Sequence, residues 1–171
     1  LTDGLSGPVA AALDGVLSDP ARLAAMSAAA RSVAIPDAAE RLADDGIMIL
    51  LEACNRRERP GYVLGTTDAV LEVMNMANHP NIKIEHDLYH LQIGEGDLAT
   101  RMRLYRDFIG HIQFADVPGR HEPGSGEMNY PFLFNVIDEI GYEDWCGAEY
   151  FPTSARTEDS LGWFAPYRKD Q

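Results

Sequence analysis

From Ile47 onward the chain alternates short continuous apolar runs with amphipathic stretches of about ten residues, the pattern of βα units around a parallel sheet. The runs Ile47–Ala53, Ile82–His86, His111–Ala115 and Cys146–Phe151 predict strands. Each is an apolar run rather than an alternating one, as when both faces of a strand are covered. Between them, Thr67–Ala77 predicts a helix with Thr66 or Thr67 as N-cap, Asp97–Phe108 a second, and Tyr130–Ile140 a third stopped by Gly141. The first 46 residues differ: Ala-rich periodic stretches at about 9–17, 21–33 and 37–43 predict helices. Asp19-Pro20 and Ile35-Pro36 supply their starts and Gly46 a stop. The expected organisation is a helical segment over 1–35 and an α/β domain over 36–171.

With 171 residues, 46% of them apolar, the chain suits one ordinary globular core. Asp and Glu number 27 against 14 Lys and Arg, a net charge of −13. That field repels phosphate backbones and anionic lipid, so neither nucleic acid nor a membrane surface is expected as a partner. No apolar run reaches the roughly 18 residues that a membrane span needs, and the opening Leu-Thr-Asp-Gly has no leader character. Two cysteines, Cys54 and Cys146, without CxxC spacing fit a reducing cytoplasm.

Polar residues break the apolar runs at regular places. Glu52, Asp87 and Glu149 stand at strand ends and Gln113 inside the third strand, with separations of 35, 26 and 36 residues, about one βα unit each. Side chains at the carboxyl ends of successive parallel strands converge on one mouth. Any one of these residues alone would read as a helix cap or a surface charge. Three carboxylates and an amide oxygen brought together repel one another unless a cation sits between them, and a hard divalent ion is the natural occupant.

The stretches around these positions carry a family resemblance. Leu50-Leu51-Glu52-Ala-Cys-Asn55, Glu85-His86-Asp87-Leu-Tyr-His90-Leu-Gln92, Gly110-His-Ile-Gln113-Phe-Ala-Asp116 and Gly141-Tyr-Glu-Asp-Trp-Cys-Gly-Ala-Glu149-Tyr resemble the hydroxypyruvate isomerase family, a branch of the xylose-isomerase-like barrels. The segment Gly119-Arg-His-Glu-Pro-Gly-Ser-Gly-Glu127 is the most specific part, and the likeness spans roughly residues 36–166. It implies a metal-dependent aldose–ketose isomerase acting on a small anionic 2-oxo acid, such as hydroxypyruvate to tartronate semialdehyde or a 2-oxo-tetronate. Under the resemblance Glu52, Asp87, Gln113 and Glu149 are metal ligands, and Glu52 and Glu149 are also the catalytic proton-transfer pair. Such an isomerisation needs a base at each of two adjacent carbons and a cation for the developing oxyanion. Epimerase relatives typically carry His where Gln113 stands, and the amide oxygen shifts the expected cofactor toward Mg or Mn.

His90 matches the family's substrate-side histidine. His86 and His90 are four apart and would suit zinc on one helix, but the segment runs from a strand into an expected loop, so His86 reads as packed. Arg120 and His121, in a Gly/Pro-rich loop, read either as solvated loop charges or as a clamp for a substrate carboxylate, which a strongly acidic protein must provide locally. Glu122 and Glu127 are candidates for ordering that loop, and Cys54 reads as a small buried filler or as a modifier of the loop that aims Glu52.

A complete (β/α)8 barrel takes about 250 residues. The fold expected here is therefore a partial TIM barrel, four parallel strands matching the family's C-terminal half. Two functional classes stay open: an isomerase or a sugar epimerase of the same group, or a catalytically silent half-barrel acting through association. Unpaired strand edges predict a homo-oligomer that closes the barrel.

Overall fold

A computed structural model describes residues 18–34 and 37–168. The helix expected over 9–17 lies outside the described residues. Two compact units divide the chain after Glu40, where the sequence reading divided it after residue 35. In the first unit, α1 (Pro20–Val33) starts at Pro20, and the Asp19 side chain caps it by accepting the Arg22 N–H at 3.0 Å. Helix α2 (Ala38–Asp44) straddles the division.

The second unit runs β1 (Ile49–Glu52), α3 (Thr67–Ala77), β2 (Ile82–Asp87), α4 (Leu88–Gly94), α5 (Leu98–Tyr105), β3 (Ile109–Phe114), α6 (Tyr130–Glu139) and β4 (Cys146–Ala148). A 3₁₀ turn, Arg106–Phe108, leads into β3, and a longer 3₁₀ segment, Thr157–Tyr167, follows β4. The four strands form one parallel sheet in the order β1-β2-β3-β4. Helices link successive strands, so every connection is a βα crossover.

One sheet face is packed and the other is polar. Ile84, Ile112 and Phe114 meet Val70 of α3, Leu88 and Leu91 of α4, Met102 of α5 and Leu133, Val136 and Ile137 of α6 in a single buried cluster. The opposite face presents Glu52, Glu85, Asp87, His111 and Gln113, as the two-residue period of a strand requires. Gly110 allows this face to close. The register shifts there, and a Cβ on Gly110 would lie 2.6 Å from Lys83 Cβ and Met48 Sδ.

Strand β1 is shorter than expected at both ends, and three further departures from the sequence expectation bear on the site. Strand β4 is short because the chain turns after Glu149, whose N–H still donates to Phe114 O at 3.1 Å, so that the Phe151 N–H can reach Arg120 O at 2.7 Å. Strand β3 starts two residues early, at Ile109. The segment after β2, read as a loop, is helix α4, because Asp87 caps it and Leu88 and Leu91 bury one side. His86 is packed as expected: it points to the helix side, is fully buried, and neither ring nitrogen has a partner.

Candidate active site

The carboxyl ends of the strands are where the titratable groups meet. Asp87 closes β2 with its two oxygens divided between tasks. Oδ1 accepts the Tyr89 N–H at 2.8 Å and the His90 N–H at 3.4 Å, capping α4. Oδ2 faces the other way, 3.9 Å from His90 Nε2 and 3.6 Å from Arg120 Nη2. Glu52 closes β1, with Oε1 3.6 Å from His90 Nε2 and Oε2 accepting the Cys54 thiol at 3.3 Å. Arg120 reaches in from the loop after β3, and its Nη2 also pairs with the Glu149 carboxylate just beyond β4. Its guanidinium lies 5.1 Å from the centroid of the Tyr89 ring. Gln113 stands in register between Asp87 and Gly147.

The structure therefore joins Glu52, Asp87, His90, Arg120 and Glu149 by direct approach and sets Gln113 beside Asp87 on the same face. His121 is committed elsewhere: its Nδ1 lies 2.7 Å from Phe151 O and donates to it, tying the loop to the chain after β4. Glu122 does similar work, accepting the Thr153 backbone N–H at 3.0 Å and its hydroxyl.

The loop that presents Arg120 is built around one buried carboxylate. Asp116 accepts backbone N–H groups of Val117, Gly124, Gly126 and Met128 at 2.8 to 3.1 Å. Gly126 is required there, since a Cβ would lie 2.7 Å from Asp116 Oδ1. Arg120 itself adopts φ +56°, a left-handed conformation strained for a side chain of this size. Its pairs with Asp87 and Glu149 hold it there.

Electrostatics follow from the crowding. Burial first, then Asp87, Glu85 and Glu149, push the Glu52 carboxyl above its ordinary value, against the Cys54 hydrogen bond. Burial also raises Asp87, while His90, the Tyr89 N–H and Arg120 oppose it. Burial lowers His90 despite the neighbouring Asp87, which favours a neutral ring. The Cys54 thiol is pushed up to about 12 by burial and by Glu52, so it stays protonated. A hard divalent ion fits an all-oxygen set of Glu52, Asp87, Gln113 and Glu149, because its charge would offset the repulsion that Asp87 and Glu149 exert on Glu52. Glu52, Cys54 and His90 form a second donor group, their ligating atoms within 4.8 Å of one another.

Sequence reasoning passed over Asn55 and Tyr89 and set Cys54 apart from the site. Cys54 lies two residues beyond Glu52 and Tyr89 two beyond Asp87. Nearness in sequence to a strand-end carboxylate was the available signal.

Residues 21–167 match the family described as xylose isomerase-like TIM barrel. The chain is 48% identical over 132 residues to a 2-oxo-tetronate isomerase of Cupriavidus necator, covering 76% of this chain and 50% of that one. It is 43% identical over 131 residues to the hydroxypyruvate isomerase of Escherichia coli, covering 77% and 50%. Among solved structures, one described as an AP endonuclease, family 2, from Brucella melitensis superposes with a TM-score of 0.72 at 44% identity, over 77% of this chain and 50% of that one. A 3-keto-D-glucoside 4-epimerase from E. coli superposes with a TM-score of 0.65 at 26% identity, over 73% and 48%. The chain spans about half the length of the curated relatives it matches.

Proposed function

Because the chain belongs to the xylose isomerase-like TIM barrel family, we propose that it is the catalytic half of a metal-dependent isomerase of small 2-oxo acids. Hydroxypyruvate and 2-oxo-tetronate are the substrate types that the relatives' names suggest. One observation carries the reading: Glu52, Asp87 and Glu149, from three different strand ends, converge around one histidine and one arginine. Glu52 and Glu149 belong to opposite edges of the sheet, on β1 and just past β4. A substrate between them has one carboxylate to remove the proton from one carbon and another to return it to the neighbouring carbon. The raised affinity of Glu52 for a proton suits that work. Arg120 supplies the local cation for the substrate carboxylate, and His90 faces the substrate oxygens. Magnesium or manganese held by Glu52, Asp87, Gln113 and Glu149 would supply positive charge for the substrate's developing oxyanion. The substrate is a small anion, and the compartment is the reducing cytoplasm. Two copies, pairing β1 of each with β4 of the other, would close an eight-stranded barrel.

Exposed apolar side chains at the two sheet edges, Ile47, Met48 and Phe151, favour a second reading, a silent half-barrel that keeps its site residues and acts only through association. Metal titration separates the two. Magnesium or manganese raises the melting temperature in a saturable way under the isomerase reading, by a margin that Glu149→Gln reduces. A melting temperature unmoved by either ion overturns the isomerase reading.

A further inference from the structure

Two N–H groups converge on one nitrogen of the site histidine. Asn55 Nδ2 lies 2.6 Å from His90 Nδ1, and the Asn55 backbone N–H approaches the same atom at 3.4 Å. The orientation of the Asn55 amide is fixed from its other end, where Oδ1 accepts the Glu58 N–H at 3.0 Å. Turning the amide over would set its NH₂ against that N–H, and the backbone donor could not turn with it. All three residues are anchored: Asn55 is 1% exposed and His90 3%, while the Glu58 carboxylate is held by the Tyr89 hydroxyl.

We propose that Asn55 is a positioning residue that fixes His90 as the Nε2–H tautomer, making the imidazole a hydrogen-bond donor into the site rather than a metal ligand. With Nδ1 accepting, a neutral ring carries its one proton on Nε2. Around Nε2 lie Glu52 Oε1 at 3.6 Å, Asp87 Oδ2 at 3.9 Å and Arg120 Nη1 at 3.4 Å. Arg120 can only donate, and its Nη1 reaches Nε2 at 3.4 Å, so one ring nitrogen must turn its own N–H toward a donor; the two donors on Nδ1, one of them at 2.6 Å, outweigh the single longer one on Nε2. The same guanidinium donates to Glu149 through Nε and Nη2. A metal-binding histidine is normally set up the other way, with its remote N–H given to a carbonyl or carboxylate and the facing nitrogen left bare. Asn55 offers a donor where that arrangement needs an acceptor. The Glu52, Cys54 and His90 group is thereby disqualified as a zinc site in spite of its spacing. What Asn55 supplies instead is an N–H aimed at the oxygen of a substrate lying among Glu52, Asp87 and Arg120.

This inference rests on the isomerase reading of the same site for its functional meaning, but its primary readout does not. Nitrogen NMR of the full chain labelled at histidine distinguishes a bare ring nitrogen from a protonated one, with His90 assigned by loss of its signals in His90→Gln. The expected spectrum has Nδ1 bare and Nε2 protonated, with and without magnesium. A protonated Nδ1 overturns the proposal whether or not the chain turns over any substrate. Asn55→Asp then separates positioning from support. Aspartate keeps the acceptor for the Glu58 N–H and the side-chain volume, yet it offers Nδ1 an acceptor in place of a donor. Expected are a swap of the His90 tautomer and a fall in kcat of about 10- to 100-fold, with a smaller change in KM. An Asn55→Asp protein that keeps the wild-type tautomer contradicts the inference. So does one that swaps the tautomer while turning over as the wild type does.

Discussion

At Arg120 a strained backbone and a crowd of carboxylates explain each other. The left-handed φ of +56° persists because the guanidinium is held by Asp87 and Glu149 and rests on Tyr89. Arg120→Ala is expected to raise KM for hydroxypyruvate about tenfold or more, the worth of one charge-assisted hydrogen bond, and to raise it far less for an uncharged triose. Steady-state kinetics on both substrates check this, and equal effects would remove Arg120 from the clamp. His86 gives a pH dependence with a definite sign. Burial lowers its folded value from 6.5 to about 4, with Arg101 adding to the effect. The unfolded chain then binds the extra proton between these values, so the His86 contribution is present above pH 6.5 and is lost as pH falls through 4. At pH 5 the loss is about 2 kcal/mol. Glu52, Glu85 and Asp87, raised in the fold, work in the opposite direction. Urea denaturation at pH 7 and pH 5 should therefore show His86→Leu losing less stability on acidification than the wild type does.

Among elements, the loop from Val117 to Met128 depends on Asp116 in the way a helix depends on its cap. Four backbone donors converge on a carboxylate that is 0% exposed. Asp116→Ala leaves them without an acceptor and should cost about 3 kcal/mol or more. Proteolysis should then cut first within this loop, and an unchanged digestion pattern would contradict the assignment. The strands and α3 were legible in the sequence because continuous apolar runs and a Thr66 cap are local signals. Helix α4 was not legible. It is seven residues long, and its stability comes from the Asp87 cap and from burial against β2 and β3. Asp87 was read for its charge and not for its capping. The four-residue spacing of His86 and His90 was rightly set aside as a zinc signal, since one belongs to a strand and the other to a helix. Glu52, Asp87 and Glu149 were legible because strand ends announce themselves by a charge after an apolar run, whereas the partnership of Asn55 with His90, 35 residues apart, needs the fold.

The second unit is an α/β array of four parallel strands whose outer edges, at β1 and at β4, pair with no further strand among the described residues. Both edges carry exposed apolar side chains: Ile47 and Met48 are about half exposed, Phe151 is 66% exposed and Trp145 is 87% exposed. Beside β4 an aromatic cleft of about 570 Å³ is lined by Phe114, Phe134, Trp163, Phe164 and Tyr167. Surfaces of this kind promote association. Light scattering over a concentration series should give a mass of at least twice 18.8 kDa, and a monomer at micromolar concentration would contradict barrel closure by a second copy. Among the described residues no helix is long and apolar enough to cross a membrane. The most direct measurement of the central claim is turnover itself, with hydroxypyruvate and the full chain followed by proton NMR in heavy water, with magnesium or manganese added and then removed by chelation. Expected is metal-dependent conversion to tartronate semialdehyde, with the transferred proton exchanging with solvent and the reaction abolished in a folded Glu149→Gln. Conversion that survives chelation and Glu149→Gln, or no conversion at any metal concentration, would contradict it.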